Sequence, residues 1–350
     1  MVLYQEKYRG FGPTLTAGKL RELEGIKGSK ESVRRWLIEA GQWQERRKVR
    51  IHRQWRERER NCGEMLQVDG SHHDWFEGRR RKCVLMAYID DATSRVYGRF
   101  YEYEGTIPAM DSFRRYIRKH GIPMSLYMDK HTTYKSPGEP SIEDELNGTE
   151  PLSEFGRALT ELEVRIIHAH SPQAKGRIER LFKTLRDRLV KEMRLKGVTT
   201  IEEANRHLDG YLAVHNRRFA VKAKEQEDLH REVPRGLNLD TILCIRTMRA
   251  LRNDFTIAHN RKCYQIEKSI RSKEVTVEEK VNGTILITHN NERLPFREIT
   301  ARPEKPLKPA SMSRPGKGHA PAVDHPWKKC NGQLFRSMRG QAKRPLVAAT

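Results

Sequence analysis

No stretch of this 350-residue sequence approaches the roughly 20 consecutive apolar residues that would cross a bilayer. The opening, from Met1 to Lys7, lacks the apolar segment of a secretory signal. Both absences point to a cytoplasmic protein without a membrane partner. Cysteine is scarce too. Cys62, Cys83, Cys244, Cys263 and Cys330 include no Cys-x-x-Cys pair, which argues against a disulfide framework and a zinc finger and leaves them as reduced packing residues. Apolar residues make up only 36% of the chain against 33% charged, so the surface is generous. The length still suffices for two or three domains and at least one sizeable core.

What is abundant is positive charge, a formal net +22. Residues 1–60 carry +8 and residues 301–350 carry +9, which leaves +5 for everything between. Basic flanks around a nearly balanced centre suit arms that grip a polyanion while the centre does something else. A ribosome-associated or merely basic protein has the same bulk charge, so motifs must decide.

Residues 1–60 read as a helical DNA-binding region followed by a basic linker. Leu15, Leu20 and Leu23 recur at helical spacing until Gly25. Ser29 then caps a second helix, Lys30–Ala40, which Gly41 ends. Val33, Trp36 and Leu37 make its inner face, while Lys30, Arg34 and Arg35 lie elsewhere and can reach a groove. This predicts a helix–turn–helix, although any small helical hairpin shows the same pattern. Trp36, Trp43 and Trp55 punctuate the region, with packing as the default role.

Residues 61–235 read as a mixed α/β core. Strands are expected at Met65–Asp69, Lys82–Asp90 and Val96–Tyr103, followed by a helix over Ala109–His120. A strand Ser125–Met128, a helix Glu154–Glu163 capped by Ser153 and a strand Val164–Ile167 come next, with residues 135–150 as a loop. A long amphipathic helix starts near Ser171-Pro172, its stripe made by Ile178, Leu181, Phe182, Leu185 and Leu189. Further helices cover about Ile201–Asn216. Residues 236–300 turn to short strands with an Asn282-Gly283 hairpin, which predicts a small β-barrel. Residues 301–350, proline-rich and basic, are expected to be a disordered tail.

The acidic residues carry the chemistry. Asp69 is expected to close the first strand and Asp129 the fourth, at the rim where α/β sheets gather ligands. Side by side, two such carboxylates repel unless a proton or a divalent cation relieves them. Glu179 lies one turn into the long helix between Lys175 and Lys183, with Arg180 beside it. That spacing fits a surface ion-pair stripe as well as a metal ligand flanked by phosphate-holding cations. Asp90 and Asp91 follow the second strand, where a turn cap or a bridge to Arg95 suffices. His72 and His73 read as loop histidines. His168 and His170 flank the fifth strand's end, with structure and DNA contact equally open.

Four segments occur in a telling order: Leu66-Gln-Val-Asp-Gly70, Asp90-Asp-Ala-Thr-Ser-Arg95, Leu126-Tyr-Met-Asp-Lys-His131 and Ser171-Pro-Gln-Ala-Lys-Gly-Arg-Ile-Glu-Arg180. Together with Asn216-Arg-Arg-Phe219 and His325-Pro-Trp-Lys328, they resemble the integrase catalytic core of DDE-type insertion-sequence transposases, within the retroviral-integrase superfamily and closest to the ISNCY type. The resemblance implies an RNase H-like fold. It matches Asp69, Asp129 and Glu179 to the catalytic Asp, Asp and Glu, holding two Mg²⁺ or Mn²⁺ ions. One departure is Lys130-His131 after the second aspartate, where the wider superfamily often has Asn-Gly or His-Gly. The zinc-binding His/Cys domain of retroviral integrases is also absent.

The implied activity is metal-dependent DNA strand cleavage and strand transfer, without a covalent protein–DNA intermediate. Lys175, Arg180 and Lys183 would contact DNA phosphates there, with Lys30, Arg34 and Arg35 at the recognition helix. The partners implied are double-stranded DNA, at element ends and target, and further copies of the chain on that DNA, in a nucleoid-associated setting. Two competing readings keep part of this: a nuclease or resolvase without a joining step, and a non-catalytic DNA-binding remnant or repressor. A single recognition helix is thin for selecting element ends. The sequence therefore carries the expectation of another helix–turn–helix unit upstream of Met1, lost by truncation or a distant start codon.

Overall fold

The computed structural model describes residues 1–44, 57–129, 152–168, 176–290 and 292–300. All of them lie in one unit, residues 1–300. Trp55, Lys130, His131, the expected loop 135–150, His170, Lys175 and the expected tail 301–350 fall outside the described residues.

Three helices open the chain: α1 (Val2–Lys7), α2 (Pro13–Leu23) and α3 (Lys30–Glu39). The last two are the expected pair. Ser29 accepts a hydrogen bond from the Ser32 amide at 3.0 Å and so caps α3 as its sequence predicts. A helix as short as α1 has little stability of its own. Packing holds it, because Tyr4, Tyr8 and Phe11 join Leu15, Ala17, Val33 and Leu37 in one buried cluster. Trp36 departs from expectation: it is 49% exposed and its ring edge lies over Gly28 rather than in this core. The cluster docks on a later helix through Lys19–Glu192 at 2.9 Å and Arg194 to the Arg9 carbonyl at 2.6 Å.

The centre is a five-stranded mixed sheet. In chain order it contains β1 (Leu66–His73), β2 (Cys83–Asp90), β3 (Val96–Tyr101), α4 (Thr106–His120), β4 (Ser125–Met128), α5 (Glu154–Glu161), β5 (Arg165–His168), α6 (Gly176–Leu195) and α7 (Ile201–Phe219). The strand order is β3-β2-β1-β4-β5. β1, β2 and β3 form an antiparallel meander, while β4 and β5 lie parallel to β1. The element order is the one the sequence predicts. β1 is longer than expected, however, so Asp69 sits mid-strand, and His72 and His73 are strand residues. The reason lies in the partner strand. The β1–β2 ladder runs unbroken from Leu66↔Asp90 to His73↔Cys83, and β2 is buried along its whole length.

Each sheet face carries a helical layer. On one face Leu66, Val68, Val84, Met86 and Tyr88 pack with Phe113 and Ile117 of α4 and Phe155 and Leu159 of α5. On the other, Cys83, Leu85, Ala87 and Ile89 pack with the stripe Ile178, Leu181, Phe182, Leu185 and Leu189 of α6 and with Leu208 and Leu212 of α7. Both helices are covered on one stripe only, in line with their amphipathic spacing. α7 also seals the outer side of β3. The Asn216 carboxamide accepts from Val96 N at 2.8 Å and donates to Val96 O at 2.9 Å. Asn205 does the same at Phe100, at 2.8 and 3.1 Å.

After the short α8 (Leu239–Ile242) come β6 (Cys244–Ala250), β7 (Thr256–His259), β8 (Lys262–Ile266), β9 (Glu274–Lys280), β10 (Ile285–His289), β11 (Glu292–Arg293) and β12 (Phe296–Ile299). The expected hairpin at Asn282-Gly283 joins β9 to β10, with Gly283 at φ +80°. In place of the expected closed barrel, the strands make two antiparallel sheets, β11-β10-β9-β6 and β12-β8-β7. Ile257, Tyr264, Ile266, Val275, Val277 and Ile287 fill one core between them. That shared core is what a barrel interior would supply, reached here without closure among the described residues.

Candidate active site

The register of the central sheet decides where the predicted carboxylates meet. Leu66 pairs with Leu126 and Gln67 with Tyr127 across the parallel β1–β4 junction. Two residues beyond this paired span come Asp69 and Asp129, which the same register, if continued, would bring side by side at the spacing of adjacent strands, about 4.8 Å. β4 stops at Met128 while β1 continues to His73. The pair therefore lies on the rim of the parallel half of the sheet, with Asp69 half-buried and Asp129 exposed.

Alternation along β1 fixes the face. Gln67, Asp69 and Ser71 pair with Ile89, Ala87 and Leu85, whose side chains all lie in the core beneath α6. α6 is tied to this face at two levels. The Ile178 amide donates to Gln67 Oε1 at 3.3 Å, and Arg186 Nη2 donates to Ser71 Oγ at 2.7 Å. Eight helical residues span about 12 Å and four strand residues about 13 Å, so helix and strand run matched past Asp69.

Glu179 is placed by rotation. Successive residues of a helix point about 100° apart. Arg177 reaches toward β2, donating to Asp91 Oδ1 at 2.8 Å, and Ile178 points down into the sheet, fully buried. Glu179, one residue on, leaves the helix about 100° from Ile178 and about 200° from Arg177, on the other flank. Arg186, seven residues on, lies about 20° from it around the helix and reaches β1 itself. Glu179 is exposed, as are Arg180 and Lys183 beside it. The three carboxylates are not drawn to within 4.8 Å of one another as a closed ligand group among the described residues. Asp69 is half-buried and the other two are exposed, and each can offer carboxylate oxygens. Such a set fits Mg²⁺ or Mn²⁺, which favour oxygen ligands and keep water in the shell, better than Zn²⁺.

The neighbouring acidic residues have structural roles. Asp90 is buried and accepts from Gly63 N at 2.9 Å and from Thr93 N and Oγ1 at 2.7 and 2.6 Å, so it caps the β2–β3 turn. Asp91 is fully buried and paired with Arg177 rather than with Arg95, whose carbonyl instead accepts from Asp90 N at 2.9 Å. Glu104 lies against Gly70, where an added Cβ would meet its carboxyl carbon at 2.6 Å. Burial, then the charge of Arg186, holds the His73 imidazole below its ordinary pKa. On α3, Lys30 and Arg35 are exposed, whereas Arg34 is partly buried and bridged to Glu31 at 2.7 Å.

Two residues that touch this face, Gln67 and Arg177, lie inside the motif segments but carry no evident role of their own there. The usable hint was periodicity: a glutamine two positions before Asp69 shares its face.

A second group of potential ligands exists elsewhere. Cys62, Asp228 and His230 bring their donor atoms within 4.8 Å of one another. Here His230 Nδ1 lies 2.6 Å from Asp228 Oδ1, and Nε2 lies 2.7 Å from the Tyr116 hydroxyl. Burial, followed by the charges of Asp90 and Asp228, pushes the Cys62 thiol up to about 12. The thiol thus stays protonated and the trio is closed by its own hydrogen bonds, a clasp between the chain after α7 and the lead-in to β1.

No protein-family model matches the chain. Among solved structures it is similar to the HTLV-2 integrase catalytic core domain in complex with magnesium (dimeric form), at 16% identity, covering 49% of this chain and 98% of that one with a TM-score of 0.34. It is also similar to a chain of the simian T-cell lymphotropic virus intasome, at 14% identity, 82% and 100% coverage and a TM-score of 0.38. Two curated proteins are similar in sequence. One is "Putative transposase y4bF" of Sinorhizobium fredii, 34% identical over 304 residues, 85% of this chain and 65% of that protein. The other is the transposase for insertion sequence IS1202 of Streptococcus pneumoniae, 28% identical over 288 residues, 78% of this chain and 59% of that one. The chain thus spans less than two thirds of the length of each. Along most of its own length, this chain is similar in sequence to these two transposases.

Proposed function

We propose that the chain is a DDE transposase with an RNase H-like core, cutting and joining DNA by metal-dependent phosphoryl transfer. The observation that supports this reading is the parallel pairing of Leu66 with Leu126 and Gln67 with Tyr127, whose continuation would bring Asp69 beside Asp129. Glu179, exposed in the first turn of α6, would complete the set. Asp69 and Asp129 would hold the metal from the sheet and Glu179 from the helix. Bound Mg²⁺ or Mn²⁺ would supply activation of water or a DNA 3′-hydroxyl and stabilisation of the leaving oxygen. Arg180 and Lys183 orient DNA phosphates along α6, and Lys175 belongs to the same stripe. α2 and α3 serve as the helix–turn–helix, presenting Lys30 and Arg35 to a groove, with Arg34 joining when it exchanges Glu31 for a phosphate. Double-stranded DNA and further copies of the chain are the partners, and the basic segment 301–350 adds charge to that contact.

The test is strand cleavage and joining on DNA carrying the element ends, with Mg²⁺ or Mn²⁺, by the wild type and by Asp69→Asn, Asp129→Asn and Glu179→Gln. Each variant should lose activity by several orders of magnitude, because ligands of one site act as a unit, while DNA binding survives. Near-normal cleavage by Asp129→Asn would refute the site. Cleavage without joining would mark a nuclease, and DNA binding without either would mark a non-catalytic remnant.

A further inference from the structure

Asp91 is a charged side chain with no exposure to solvent, and its hydrogen bonds gather around one junction. Oδ1 accepts from Gln67 Nε2 and from Arg177 Nη1, both at 2.8 Å, and Oδ2 accepts from the Glu59 amide at 3.0 Å. The other end of the same Gln67 carboxamide accepts the Ile178 amide, a first-turn N–H that has no acceptor within its own helix. One strand residue thus joins a buried ion pair to the start of α6. Gln67 lies two residues before Asp69 on the same face of β1. Arg177 and Glu179 flank Ile178 on α6.

We propose that Asp91, Gln67 and Arg177 are a positioning network that fixes the rotation of the first turn of α6, and so the reach of Glu179 toward Asp69 and Asp129. The proposal rests on those three carboxylates being the metal site. Side-chain tips stand about 5–6 Å from a helix axis, so a 20° rotation carries one through about 2 Å. Metal–ligand distances tolerate about 0.2 Å and functional constellations about 0.5 Å. Apolar contacts along the stripe are non-directional and set the helix's rotation less sharply than a directional bond does. A guanidinium locked to a buried carboxylate, backed by a carboxamide on the adjacent backbone, does not. A buried ion pair is a poor device for stability but a good one for geometry.

The test uses the full chain without DNA and reads Mn²⁺ binding by loss of the free-ion signal in electron paramagnetic resonance. The double variant Asp91→Asn/Arg177→Met removes both charges together, so neither is stranded if the fold is to survive. Its Mn²⁺ affinity should fall 10- to 100-fold, the usual consequence of removing an outer-shell partner of a ligand. The Mg²⁺ concentration for half-maximal cleavage should rise in parallel, with DNA affinity unchanged. Arg177→Lys should recover part of the loss. Asp111→Asn/Arg115→Gln, which breaks an ion pair between a buried aspartate and an exposed arginine on the far face of the sheet, should lower the melting temperature and leave Mn²⁺ affinity alone. Wild-type Mn²⁺ affinity in the double variant, while Asp69→Asn loses binding, would overturn the positioning role and leave the site standing. Unchanged binding in Asp69→Asn would overturn the metal site itself, and this inference with it.

Discussion

His215 offers a sharp test of how α7 is packed. It is 7% exposed, with ring centroids 6.0 Å from Tyr211 and 4.7 Å from Phe219, and its Nδ1 meets no hydrogen-bonding partner among the described residues. Burial, and then the charge of Arg188, lowers its pKa from 6.5 to about 4. The unfolded chain therefore takes up a proton near pH 6.5 that the folded chain refuses until about pH 4. Stability from this residue is complete above pH 6.5 and declines as the pH falls through that window. At pH 5 the linkage amounts to about 2 kcal/mol, and its ceiling below pH 4 to about 3 kcal/mol. His215→Phe keeps an aromatic ring between its neighbours and removes the titration. Urea unfolding followed by tryptophan fluorescence at pH 7.5 and pH 5 gives the comparison. Other buried histidines such as His207 titrate in the same direction in both proteins, so the double difference isolates His215. The wild type should lose about 2 kcal/mol more than the variant between the two pH values. A double difference below about 0.5 kcal/mol would refute the reasoning.

Three further outcomes are expected. Deleting residues 301–350, which carry a net +9, should flatten the slope of log DNA affinity against log salt, by about 0.9 for every phosphate the segment neutralises. An unchanged slope by fluorescence anisotropy would assign the tail's charge to another role. Asn216→Ala strands the Val96 amide and carbonyl and should cost about 1–3 kcal/mol in urea unfolding, more than Asn216→Asp, which still accepts from the amide. Asp111 is desolvated by burial, yet hydrogen bonds from Arg115 and Tyr101 hold its carboxyl below the usual range. Its stabilisation is present above the unfolded carboxylate's pKa and disappears as the pH drops through the folded value. The gap between wild type and Asp111→Asn should therefore be widest near neutrality and close in acid, and a gap independent of pH would remove the ion pairs as its cause.

How far the sequence could be read depended on whether the cause was local. Apolar runs and the caps at Ser29 and Ser153 announced most helices and strands, because each signal sits within its own element. Gly70-Ser-His-His73 looked like a loop because it is polar. It is a strand because the four residues opposite it in β2 are buried and need a partner, which no window on β1 contains. α1 was hidden for the same reason, since Tyr4 and the Tyr8 that follows the helix are held by α2 and α3. The β-rich segment announced strands but not their pairing, so two sheets read as one barrel. At the site, Asp69 and Asp129 stood out as acids after apolar runs. The junction of Gln67, Asp91 and Arg177 could not, because its members are spread over 111 residues and meet only through tertiary packing.

The two asparagines on α7 have a consequence for assembly. A sheet edge is normally an invitation, a row of open amides and carbonyls onto which another strand can add. Asn205 and Asn216 answer that invitation from within, each carboxamide imitating the hydrogen-bonding unit of a neighbouring strand at Phe100 and Val96. Further copies of the chain therefore cannot grow a continuous sheet across β3 without first prising α7 away. The meander edge of the central sheet is thus closed to strand addition from outside, and any contact made at this side of the molecule meets the α7 helix and not the strand.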